Sequence, residues 1–92
     1  MNNYKIGVEI ELRINGEQRT VSYNLLVEAI NEDKAMEKIN EKYGLNDEEW
    51  NIDAIVEHIE EFIIDIKNTD FEIEEILYVE SLNHANLETM KL

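Results

Sequence analysis

Between residues 4 and 14 apolar and polar side chains alternate almost without exception. Tyr4, Ile6, Val8, Ile10, Leu12 and Ile14 share one parity; Lys5, Gly7, Glu9, Glu11 and Arg13 share the other. Period two over this length predicts a strand with one buried face. Asn15-Gly16 follows, the pair favoured in a two-residue type I′ turn because both positions need positive φ. A returning strand is predicted over residues 17–29. Pairing Ile14 with Glu17 sets Ile10 opposite Val21, Val8 opposite Tyr23, Ile6 opposite Leu25 and Tyr4 opposite Val27. On the other face Glu11 meets Thr20, Glu9 meets Ser22 and Gly7 meets Asn24. A slip of one residue would destroy this agreement, so the pattern itself sets the register.

The period then changes to that of a helix. Asn31 is placed to cap one, Glu32 and Asp33 suit its positive end, and Ala35, Met36, Ile39 and Tyr43 form its apolar stripe. Gly44 is a suitable terminator, and Lys34, Lys38 and Lys42 lie four apart on the solvent side. A second helix is predicted over residues 47–66. Asn46 serves as its cap and Glu49 as the reciprocal residue of a capping box. Its apolar face is Ile52, Ile55, Val56, Ile59, Phe62, Ile63 and Ile66. A competing reading ends this helix near residue 60 and makes 62–66 a strand, because Phe62, Ile64 and Ile66 also alternate. Asn68-Thr69-Asp70 signals a turn. A last strand is predicted over 71–82, with a bulge at Glu75-Ile76 where the apolar parity breaks. The expected fold is α+β: a three-stranded antiparallel sheet with one or two helices on one face, in the order ββααβ. Residues 1–82 form one domain and 83–92 a mobile tail containing His84. The last strand is compatible with either hairpin strand as neighbour.

Ninety-two residues with 43% hydrophobic content, 13 of them Ile, suffice for a single small core rather than disorder. Charge alters the picture more. Twenty-two acids face eight bases, for a net −14. Thirteen of the acids fall between Asp47 and Glu80, where Lys67 is the sole base, so this segment carries −12 and the rest of the chain −2. Such a chain is unsuited to binding nucleic acid directly, which takes Lys and Arg to displace counterions, or to docking on anionic lipid. No apolar run approaches the ~20 residues of a membrane span. The N-terminus passes straight into a strand pattern, so no signal peptide is expected. Cysteine is absent, which fits a reducing compartment. The cytoplasm is the simplest expected location.

The acids are ordered. Glu49, Asp53, Glu57, Glu60 and Glu61 recur at three to four residues, about 5–6 Å along a helix axis. Glu72, Glu74, Glu75 and Glu80 form a second group. Carboxylates so spaced resemble the charge of a nucleic-acid backbone, and a groove that neutralises phosphates can accept them instead. Glu49, Asp53, Glu57, Glu60, Glu61, Glu72, Glu74 and Glu75 are therefore the candidate partner-binding residues, and solvated faces that merely confer solubility are the plain alternative. No enzyme, cofactor or metal site is expected. The stretch 65–70 lacks the central glycine and alternating ligands of a calcium loop. His58 with Glu61 is too small a ligand set for a specific metal site, and His58 reads as a helix-boundary residue. Ser22 and Ser81 have no nucleophile-elbow context. Trp50 and Tyr78 read as core residues, with interface anchoring as the alternative.

In size, single-domain build and the acid-rich stretch Asp47-Glu48-Glu49, Glu57, Glu60-Glu61 and Glu72-Ile73-Glu74-Glu75, the chain resembles the small acidic proteins that bacteriophages and mobile elements direct against host defences, the anti-CRISPR and anti-restriction proteins. Eleven Asn with 13 Ile also fit the AU-rich codon usage common in such genomes. The resemblance implies inhibition by binding in the host cytoplasm, with the basic groove of a CRISPR effector or restriction nuclease as the class of target. Two other readings stay open. One is a regulatory or assembly module that forms a homodimer or binds a partner through an exposed edge strand. The other is a cation-stabilised surface.

Overall fold

The computed structural model describes residues 2–82. Strand β1 (Asn2–Ile14) and strand β2 (Glu17–Ala29) form the hairpin, paired from Ile14↔Glu17 through to Asn2↔Ala29 without interruption. Every cross-strand pair anticipated from the alternation is present. Asn15 and Gly16 carry the turn at φ 52° and 82°, the left-handed geometry a type I′ turn requires. Helix α1 (Glu32–Tyr43) begins where the Asn31 side chain accepts from Lys34 N at 2.8 Å. It ends at Gly44, whose φ of 70° lets its N–H reach back to the last turn.

Helix α2 differs from expectation. It spans Ile52–Phe62 rather than 47–66, and its cap is Asn51, which accepts from Ala54 N at 3.3 Å. Asn46 caps nothing, and Glu49 lies outside the helix. The reason is the preceding loop. Asn51 N donates to Tyr43 O at 2.7 Å and Asp47 N to Gly44 O at 3.2 Å, so the chain from 44 to 51 folds back onto the end of α1 before a new helix starts. At its far end α2 passes into a single 3-10 turn, Ile64–Ile66. Phe62 thus closes the helix, and residues 63–66 are neither more α-helix nor a strand. The turn tucks Ile66 into the core and leaves Ile64 76% exposed. Asn68, at φ 71°, reverses the chain into strand β3 (Phe71–Ser81).

The sheet order is β2-β1-β3, all antiparallel, so the first strand is central. Two residues of β3 have no counterpart on β1. Glu9 pairs with Tyr78 but Ile10 with Ile76, skipping Leu77; Glu11 pairs with Glu75 but Leu12 with Ile73, skipping Glu74. The irregularity expected at Glu75-Ile76 is therefore a pair of bulges flanking that position.

Both helices cover the same face of the sheet. There Ile6, Val8, Ile10, Leu12, Val21, Tyr23 and Leu25 meet Ala35, Ile39 and Tyr43 of α1, Ile55 and Ile59 of α2, and Ile66. Each large aliphatic side chain buried in this way stabilises the fold by about 1.5–3 kcal/mol. The segment 83–92, expected to be a mobile tail, lies outside the described residues, and His84 with it. No helix among the described residues is long and apolar enough to cross a membrane.

Candidate functional site: two acidic faces

The eight candidate carboxylates do not form one surface. Asp53, Glu57, Glu60 and Glu61 stand together on α2, where with Val56 and Lys67 they line an open groove of about 440 Å³. None of the four makes an ion pair among the described residues. Glu60 and Glu61 occupy the last turn of α2, which carries no basic residue. The helix dipole places partial negative charge at that end, so carboxylates there oppose it.

Glu72 and Glu75 lie elsewhere. Their partners on β1 are Arg13 and Glu11, on the parity opposite to the buried Ile10 and Leu12. They therefore occupy the outer face of the sheet, on the far side from α2, together with Glu9, Glu11 and Glu80. Glu11 and Glu75 sit directly across from each other, an arrangement of like charges that costs stability. Glu74, at a bulge, turns to Arg13, whose Nε donates to its Oε1. That contact, with the Glu74 charge and then those of Glu72 and Glu11, raises the Arg13 pKa above its ordinary value. Glu49 belongs to neither face; it lies in the loop between α1 and α2.

Sequence reasoning missed Glu9 and Glu11 as part of an acidic surface. They fall in the half of the chain with little net charge, and only the pairing of β1 with β3 brings them beside Glu75 and Tyr78. Their polar parity in the first strand was the available signal. Tyr78 itself is on this outer face and 38% exposed, and Trp50 is 37% exposed, so neither is a core residue.

Behind the α2 stripe lies a polar chain within the apolar core. Tyr23 Oη is 2.6 Å from Tyr43 Oη, which is 2.7 Å from His58 Nδ1. One arrangement uses every hydroxyl hydrogen: Tyr23 donates to Tyr43, and Tyr43 donates to a neutral His58 at Nδ1. Burial pushes the Tyr23 hydroxyl up to about 12 and that of Tyr43 higher, so both keep their protons. Burial, then the charge of Lys42, lowers the His58 pKa against the opposing pull of Glu61 and Glu57. Phe62 stacks on Tyr23 with ring centroids 5.3 Å apart. His58 is therefore no helix-boundary residue; it stands mid-helix and ties α2 to α1 and β2.

Arg19 Nη1 reaches Asp65 at 2.8 Å, clipping β2 to the 3-10 turn and holding the Asp65 carboxyl below its usual range. Among the described residues no three His, Asp or Glu side chains converge as a metal-holding group. Comparison of the chain with protein-family models, with curated proteins and with solved structures found no match.

Proposed function

We propose that this chain is a non-enzymatic acidic binding protein that occupies the basic groove of a nucleic-acid-processing protein in place of its nucleic acid. One observation carries the reading. Asp53, Glu57, Glu60 and Glu61 line one open groove with only Lys67 as counter-charge, and two of them stand where the helix dipole disfavours them. A helix under selection for stability alone gains from Lys or Arg at its C-terminal end. Keeping acids there gives up stability for a field that a cationic groove can use. The spacing along α2 follows the helical rise, about 5–6 Å per turn, close to the separation of phosphates along a strand. The outer-face carboxylates Glu72 and Glu75 point away from this groove and form a second, independent acidic patch.

The test is capture of nucleic-acid-processing proteins from bacterial lysate by the wild-type chain and by a variant with Glu57, Glu60 and Glu61 all changed to Gln. A nuclease retained by the first, released by moderate salt or by added DNA or RNA, and lost with the second supports the reading. Equal retention by both removes the α2 stripe from the interface.

A further inference from the structure

The two edges of the sheet are built differently. At the β3 edge, Leu77 and Glu74 interrupt the ladder, and Glu72, Glu74, Glu75 and Glu80 add charge. Bulges and charges are the usual protection of an edge against pairing. The β2 edge has neither a bulge nor a proline: its thirteen residues hold unbroken register with β1.

Which backbone groups this edge offers follows from the turn. A two-residue turn makes Ile14 and Glu17 a hydrogen-bonded pair, and such pairs alternate along an antiparallel ladder. The odd-numbered residues of β2 therefore direct their N–H and C=O to β1, and the even-numbered ones direct theirs outward. Two contacts agree with that parity. Leu82 N donates to Lys5 O, on the β3 side of β1, and Lys38 Nζ donates to Glu28 O, at the free edge of β2. Lys38 so closes the edge at Glu28. Among the described residues the stretch left open is 18–26, whose outward residues Gln18, Thr20, Ser22, Asn24 and Leu26 are all uncharged, in a chain that is 33% charged. Leu26 is 78% exposed.

We propose that β2 pairs antiparallel with β2 of a second copy about a two-fold axis at Ser22, joining two three-stranded sheets into one of six. The open stretch is centred on Ser22, so this register sets Gln18 against Leu26 and Thr20 against Asn24 of the other copy and uses every free backbone group. Pairing about a two-fold needs a strand that complements itself, and charge selects a second copy over a foreign strand. Along this edge runs a groove of about 340 Å³ lined by Leu25, Val27, Glu28, Lys38, Lys42 and His58 among others. Its two lysines outnumber its one glutamate, so it is locally cationic in a chain of net −14. The register about Ser22 places Glu17 of the second copy opposite Val27, on the helix-bearing side where this groove lies. Glu17 is exposed, and the symmetry repeats its approach to Lys38 and Lys42 at the other end of the interface.

Sedimentation of the full chain over a wide concentration range tests this. The expected mass rises from 10.9 kDa to twice that value as concentration increases. Glu17→Lys weakens the association about tenfold, and Lys38→Glu with Lys42→Glu does likewise. Combining the three substitutions restores it, which a merely structural role for any of them would not produce. Thr20→Lys with Asn24→Lys changes two exposed side chains on the strand parity opposite to the buried Val21, Tyr23 and Leu25. It sets lysines against lysines across the axis and leaves a folded monomer. A wild-type chain that stays at 10.9 kDa throughout overturns the proposal, even if it then binds an unrelated strand. A dimer indifferent to the two-lysine variant overturns it equally.

Discussion

The hydroxyl of Tyr43 meets Nδ1 of His58 at 2.7 Å, and this contact joins the helix bearing the acidic groove to the helix before it. Tyr43 is completely buried, so its hydroxyl depends on Tyr23 and His58 for its hydrogen bonds. Tyr43→Phe removes the middle of the chain and leaves Tyr23 Oη and His58 Nδ1 without that partner. The expected loss is about 1–3 kcal/mol, the cost of stranding buried polar groups. Tyr23→Phe leaves the Tyr43–His58 bond intact and costs less. Chemical denaturation of both variants checks the order.

The same chain makes stability sensitive to acid. The folded pKa of His58 lies below its ordinary value, so the unfolded state takes up the proton first. The contribution of His58 is therefore complete above about pH 6.5, the unperturbed histidine value, and is lost as pH falls through the folded pKa. Protonation also turns Nδ1 from acceptor to donor and reverses the chain against Tyr23. Melting temperature should fall more steeply between neutral pH and pH 5 for the wild type than for His58→Gln. The carboxylates affect both proteins alike, so the difference between the two curves is the quantity to read.

The start of α2 can be checked by its caps. Asn51→Ala is expected to cost about 1 kcal/mol, as for other side-chain caps. Asn46→Ala is expected to change stability little, because that side chain caps no helix. Equal effects would return the helix start to residue 47.

Glu11 and Glu75 face each other across β1 and β3. Glu75→Gln should stabilise the fold by about 0.2–1 kcal/mol by removing a like-charge pair. The gain should shrink in high salt, which screens exposed charges. Urea titrations at low and high ionic strength measure both effects.

Most of the fold was legible because its determinants are local. Alternation in residues 4–14 and the Asn15-Gly16 turn specify the hairpin independently and agree, and Asn31 and Gly44 bracket α1 with chemistry that needs no tertiary contact. The start of α2 was not legible, since Asn46 and Asn51 are both competent caps. The choice falls to backbone bonds from Asn51 to Tyr43 and from Asp47 to Gly44. The role of His58 was hidden for a similar reason: Tyr43 and Tyr23 are distant in sequence and meet it only once the helices dock. The acidic stripe of α2 was readable from helical spacing. That Glu72 and Glu75 lie on the opposite side of the sheet became visible only when β3 paired with β1.

That pairing has a consequence for how the chain assembles. Of the three described strands the central one is made first and its second neighbour last, with Ile14 waiting for Phe71 and Ile6 for Ser81. The hairpin and α1 rely on contacts close in sequence and form early; closing the other side of β1 brings together the two ends of the domain, the slow kind of event in folding. Until residues 71–81 leave the ribosome, the backbone N–H and C=O groups of the odd-numbered residues of β1, from Lys5 to Arg13, have no β3 to meet. The order of synthesis therefore leaves this flank of the nascent chain open to aggregation until β3 arrives.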